Sequence, residues 1–215
     1  MNAPRPEPVI NGKLGVLGAG WFLVALFIGE TGLLGAIPGP APQVIMWSIT
    51  AVLLACAFAV DPFRGCVMRL PIRALVAVHL TRFVGFYFLF LHNRGELPGA
   101  FAIPAGWGDI VAGTGAAILL VFPRALNNLC LVTGWNTVAL ADILFVLASG
   151  MRLEGAERYA LLDHLTKLPL SFLPMMIVPL ILFTHILIYV RLWRAARGSA
   201  RLDKVTYAPS RPVSM

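Results

Sequence analysis

Six apolar stretches fill nearly all of the chain between residues 14 and 192, each long enough or nearly long enough for a helix to cross about 30 Å of hydrocarbon. No water satisfies backbone N–H and C=O groups inside a bilayer, so segments of this kind fold as helices that close their own hydrogen bonds. The expected fold is therefore all-α, a polytopic membrane helix bundle. Only 13% of the 215 residues are charged, against 59% hydrophobic, whereas soluble domains carry about 25% charged residues. The chain leaves no room for a separate soluble domain.

Proline and glycine punctuate the stretches. Residues 1–13, with Pro4, Pro6 and Pro8, read as a disordered lead. Six spans are expected at Leu14–Ile37, Gln43–Val60, Ile72–His92, Asp109–Phe122, Asn128–Ala148 and Leu170–Leu192, together a membrane domain over residues 14–192, followed by a basic tail over 193–215. The first stretch is too long, and too weakly charged at its start, for a cleaved signal peptide. Asn93–Gly108 is apolar yet studded with glycine and proline, and reads as too broken for a helix. It is either a cap over the bundle or a loop at headgroup level anchored by Phe101 and Trp107. A five-span arrangement with residues 93–122 re-entrant is the alternative. Ser149–Leu168 is expected to hold a short interfacial helix with Leu161, Leu162 and Leu165 toward lipid. Pro174 and Pro179 are expected to bend the last span. Gly108, Ala112 and Ala116 repeat small residues at i+4, which allows close helix contact.

The net charge of +7 does not point to nucleic acid, because the cations sit beside spans. Arg191, Arg194, Arg197, Arg201, Lys204 and Arg211 follow the last stretch, and Arg64, Arg69 and Arg73 lie between the second and third. Such clusters set orientation and attract anionic lipid headgroups. With six spans, twelve Lys and Arg fall on the side of the termini and four (Arg94, Arg152, Arg158, Lys167) on the other, which puts both termini in the cytoplasm. Cys56, Cys66 and Cys130 are scattered, with neither metal-ligand spacing nor a disulfide framework. No metal and no cofactor is expected.

Charges inside the apolar stretches are the candidate site. A charge at mid-bilayer costs about 2.5–3.5 kcal/mol on insertion scales, so it faces a bundle interior and finds a partner. Arg82 lies in the third stretch with His79 three residues before it, on one helical face. Glu30, Asp109 and Asp142 interrupt or border the first, fourth and fifth stretches, and Asn136 is a further polar insertion. The candidate ligand- or proton-binding set is Arg82, Asp142, Asp109, Glu30, His79 and Asn136. Three acids for one arginine leave an excess of negative charge, which a proton, a cation or a basic ligand would compensate. Each member also has a structural reading: Asp109 as a helix N-cap, Glu30 snorkelling to headgroups, Asp142 as a plain bridge to Arg82, Asn136 as interhelical glue. Asn136 and Asp142 lie about 120° apart around one helix and do not converge on one point.

His79 and His185 fall at similar depth on different spans, which raises a b-type haem as an alternative. The remaining histidines, His92 and His164, lack the matching spacing for a second pair. No hydrolase or phosphate-loop signature is present.

The run Arg82-Phe83, Gly95-Glu96-Leu97-Pro98, Phe101-Ala102-Ile103-Pro104-Ala105-Gly106-Trp107-Gly108-Asp109, then Trp135-Asn136, Asp142 and Leu168-Pro169, resembles a group of uncharacterised bacterial multi-span membrane proteins. The resemblance covers roughly residues 74–192. It implies a bacterial inner-membrane location and a multi-span fold, and carries no activity. Two functional classes are expected on the residues alone: binding or transport of a small molecule or proton, by what would be a homo-oligomer given the small chain, or a non-catalytic membrane scaffold or accessory subunit.

Overall fold

A computed structural model describes residues 9–37 and 41–206. Among these every regular element is helical. In chain order they are α1 (Val9–Thr31), α2 (Leu33–Ala36), α3 (Ala41–Ala59), α4 (Asp61–Val67), α5 (Ile72–Ala77), a 3₁₀ segment (Val78–Val84), α6 (Gly85–Asn93), α7 (Gly99–Val121), α8 (Pro123–Leu126), α9 (Leu129–Arg152), α10 (Gly155–Leu165), a π segment (Leu173–Ile177) and α11 (Val178–Thr206). The proposed lead over residues 1–13 and the tail over 193–215 lie partly outside the described residues; α1 begins at Val9 and α11 runs to Thr206.

Five helices are long and apolar enough to cross a membrane: Pro42–Ala59, Ile72–Asn93, Gly99–Val121, Leu129–Arg152 and Leu173–Arg197. The apolar part of α1 is shorter, Gly15–Thr31, with Lys13 just before it and Glu30 in its last turn. The last helix is the centre of the bundle: 67% of its apolar window is buried, against 22% for Pro42–Ala59. Large apolar side chains such as Val52, Phe86, Val111, Val138 and Phe145 point outward around the bundle, as expected of lipid-facing surfaces.

The stretch Asn93–Gly108 corrects the sequence reading. Only residues 94–98 form a turn, with Gly95 at φ 73. From Gly99 the chain is helical through Pro104 to Val121, so residues 93–122 are not re-entrant and the fourth span starts ten residues earlier than expected. Glycine and proline break helices in water because they expose the backbone or lose a bond. In a packed membrane bundle neighbouring helices compensate, and small residues permit close approach. Here a Cβ on Gly85 would run into the Gly106 carbonyl oxygen, and one on Gly106 would lie 3.0 Å from the Gly85 carbonyl oxygen. Backbone meets backbone where α6 crosses α7. Ala112 and Ala116 are also buried, in line with the small-residue repeat.

Local signals explain the other boundaries. Asn128 caps α9, its side chain accepting from the Cys130 and Leu131 N–H groups at 3.0 and 3.2 Å. Pro98 and Pro71 precede α7 and α5, where a missing N–H costs nothing. In the last span the prolines act through a π segment that contains Pro174. Pro179 has no N–H for the Met175 carbonyl one turn earlier, and Trp21 of α1 donates its indole N–H to that oxygen at 2.9 Å. Phe22 stacks on Phe172 at 5.3 Å beside it, so the defect in one helix is the docking point of another.

α10 also departs from expectation. Leu161 is fully buried and Leu165 packs against the core, so these leucines face the bundle and not lipid. Two hydrophobic clusters fill the interior. One holds Phe88, Phe101, Ile143, Leu161 and Leu173, the other Leu75, Val76, Leu119, Val132 and Leu187. Asp109 lines a cavity beside the first cluster, and His79 meets Trp135 of the second.

Candidate functional site

The site begins with an irregularity in the third span. Val78–Val84 is wound as a 3₁₀ helix, in which residues three apart eclipse each other. His79 and Arg82 therefore stack along one line, closer to superposition than in an α-helix, and both are fully buried.

Arg82 ties three helical segments together. Its Nε donates to Asp109 Oδ1 at 2.6 Å, Nη1 to the Ala139 carbonyl at 2.8 Å, and Nη2 to Asp142 Oδ2. Asp109 comes from the middle of α7 and is not an N-cap. Asp142 comes from α9. Glycines make room for both carboxylates: a Cβ on Gly108 would land on the Asp142 carboxylate, and one on Gly85 would lie 2.9 Å from Asp109 Cβ. The second oxygen of each carboxylate, Asp109 Oδ2 and Asp142 Oδ1, receives no protein donor among the described residues.

The two acids open on different spaces. Asp109 lines a central cavity of about 70 Å³, otherwise walled by apolar groups such as Met46, Phe88 and Phe101, with Gln43 at its edge and Leu161 and Leu165 of α10 over it. Asp142, with 20% of its side chain exposed, lies at the floor of a groove between α7 and α9 on the outside of the bundle. Arg82 sits between cavity and groove.

A second polar layer surrounds His79. Its Nε2 lies 3.2 Å from Thr184 Oγ1, whose hydroxyl proton is directed to the Leu180 or Ile181 carbonyl at 2.8 or 3.0 Å. Thr184 thus accepts from His79, which assigns the proton to Nε2. Asn136 donates through Nδ2 to the His185 carbonyl at 3.3 Å and accepts through Oδ1 from His185 Nδ1 at 2.8 Å. That assigns the His185 proton to Nδ1. The remaining ring nitrogens, His79 Nδ1 and His185 Nε2, are buried lone pairs without a protein partner, as is Gln43 Oε1. Trp135 meets His79 edge-on at 5.0 Å and donates to the Ala112 carbonyl at 3.0 Å.

The structure thus brings together Arg82, Asp109, Asp142, His79, His185 and Asn136. It does not bring in Glu30, which is exposed near the end of α1 and makes no hydrogen bond or ion pair with the centre among the described residues. The acids facing Arg82 number two, not three. Asn136 and Asp142 serve separate layers, as their angular separation requires. The haem alternative does not fit: the His79 and His185 rings pack on each other with centroids 4.3 Å apart, tilted by 57°, and each is held by its own neighbour. No macrocycle fits between them. Among the described residues no group of three or more His, Cys, Asp and Glu could hold a metal ion. Sequence reasoning missed Thr184 and Gln43. The Thr184-His185 pair inside an apolar run was the available signal; Gln43 offered none beyond being polar at a span start.

A family described as Domain of unknown function (DUF8737) matches residues 40–193. The chain belongs to this family. Comparisons with curated proteins and with solved structures find no match. The matched segment includes four of the five long helices, the fifth up to residue 193, and every residue of the two polar layers, and leaves out α1 with Glu30. The family description supplies no chemistry, so function must be argued from the site.

Proposed function

We propose that this protein binds, and carries across the bacterial inner membrane, a proton or a small cationic molecule at the Arg82–Asp109–Asp142 centre. One observation carries the reading. A single guanidinium is shared by two carboxylates at membrane depth, each with one oxygen left over, one facing a cavity and the other a groove. With both acids ionised the centre holds one uncompensated negative charge, which is costly in hydrocarbon until a proton or cation joins it. The unpartnered atoms nearby point the same way. Three of the four buried side-chain atoms without a partner among the described residues, His79 Nδ1, His185 Nε2 and Gln43 Oε1, are acceptors, and the fourth is the Ser171 hydroxyl.

The direct test is flux in proteoliposomes. Dissipation of an imposed pH gradient, and uptake of small amines, should be fast with wild type and at background with Asp142→Asn, which keeps shape and removes charge. Equal flux in the two proteins across a broad panel would end the transport reading. The competing class, a scaffold or accessory subunit, is supported only by the hydrogen bonds that knit α7, α9 and the 3₁₀ segment together. It predicts that charge at this centre serves assembly alone.

The bundle is proposed to have six crossings, with α1 as a short first span and both termini cytoplasmic, on the strength of the basic tail. Reporter fusions at the C-terminus should be active only in the cytoplasmic sense; an external C-terminus would refute the orientation, and termini on opposite sides would refute the six-span count.

A further inference from the structure

We infer that the groove between α7 and α9 is the binding site for a lipophilic organic monocation, a protonated or quaternary amine or a phosphonium with an aromatic or branched apolar body. The inference rests on the reading of the Arg82 centre as a cation site, and names the class of cation and its place.

The groove is about 470 Å³ and is walled by Trp107, Val111, Gly134, Trp135 and Val138, with Asp142 as its single titratable group. This volume lies in the range of small-molecule sites. Its shape depends on glycine. A Cβ on Gly108 would collide with the Asp142 carboxylate, and one on Gly115 would lie 2.5 Å from Trp135 Cδ1. Without those two glycines neither the carboxylate nor the indole could hold its position under the groove. Gly134 is different: nothing lies within 4 Å of where its Cβ would be. It leaves space open without any packing requirement for that space.

Charge complementarity selects the occupant. Asp142 Oδ1 has no protein donor, and the centre behind it carries one negative charge in excess. A neutral lipid tail or an apolar helix would leave that charge buried and unpaired. A second copy of this chain would not supply the countercharge at this depth, since among the described residues the basic side chains at mid-span are Arg82, His79 and His185, and all three are fully buried. Inorganic cations demand several oxygen ligands, and the groove offers a single carboxylate amid apolar walls. An organic cation suits this lining: an onium centre against Asp142 and an apolar body among Val111, Val138, Trp107 and Trp135, indoles being rings that attract cations. The mouth opens on the lipid-facing side, where such molecules partition.

The probe is tetraphenylphosphonium, with triphenylphosphine oxide as the neutral aromatic control. Binding to the purified full chain in detergent is followed by equilibrium dialysis and by quenching of tryptophan fluorescence, with thermal unfolding and molecular mass measured in parallel. Wild type should bind the cation at least about tenfold more tightly than the neutral control. Asp142→Asn should lose that preference. Gly134→Phe, whose Cβ meets open space and whose ring would occupy the groove, should abolish binding while leaving the unfolding temperature near that of wild type. Equal affinity for cation and control would overturn the inference, as would undiminished binding by Gly134→Phe. A dimeric wild type that Gly134→Phe renders monomeric would overturn it too, by assigning the groove to a second copy. If the phosphonium fails to bind while Asp142→Asn still abolishes proton flux, the inference falls and the proton-binding reading stands.

Discussion

Arg82→Met is expected to be among the most damaging single changes in this protein, costing about 3–5 kcal/mol, because it leaves two neighbouring carboxylates without their cation, Asp109 buried and Asp142 largely so. Three hydrogen bonds go with it, and with them the tie between α7, α9 and the 3₁₀ segment. Replacing Arg82, Asp109 and Asp142 together with apolar residues of similar volume should restore most of that stability, since the largely buried ion cluster must recover its own desolvation cost before contributing anything. Changing Arg82 and Asp142 alone should not, because Asp109 would remain buried and unpaired. Unfolding in mixed micelles, followed by helix content, gives the order directly. A triple variant as unstable as the single one would show that the cluster is required for packing. A stable triple variant that has lost flux would separate function from structure, and a stable one with normal biological activity would favour the scaffold.

Gly85→Ala is the second large expected effect, from one methyl group. The added carbon would meet the Gly106 carbonyl oxygen and lie 2.9 Å from Asp109 Cβ. The first obstacle is backbone and the second is pinned by Arg82, so neither can swing aside. Overpacking of this kind costs about 1–3 kcal/mol, and more where the backbone itself must move. α6 and α7 would separate and the Arg82–Asp109 bond would lengthen, so binding should suffer along with stability. Gly106→Ala should be milder, because its nearest neighbour is the Leu89 side chain at 2.7 Å, which can change rotamer. Gly134→Ala should be silent. Thermal unfolding of the three variants that ranked Gly134→Ala as low as Gly85→Ala would contradict the close-contact account.

The membrane class, the number of long apolar segments in the family-matched region and the identity of most interior polar residues are all legible in the chain. Apolar length and charge in the wrong solvent are properties that a residue carries regardless of its neighbours. Arg82, Asp109, Asp142, His79 and Asn136 stand out because hydrocarbon penalises each of them individually, wherever the fold puts them. The start of α7 was not legible. Whether Gly99, Pro104, Gly106 and Gly108 break a helix or build one depends on what lies against them, and α6 is brought there only by the fold. Glu30 shows the converse: the charge is in the sequence, but its partner, or the lack of one, is a matter of where α1 docks. The docking of α1 on Met175 through Trp21 requires a carbonyl orphaned by Pro179 and an indole more than 150 residues away in the chain. The division of the acids is of the same kind. Composition could say that carboxylates outnumber the buried arginine; only the packing of α7 and α9 around a 3₁₀ turn decided that two of them share Arg82, one toward an apolar-walled cavity and one toward a groove between α7 and α9, because that depends on the rotation of each helix about its axis, which nearest-neighbour spacing in the sequence does not contain.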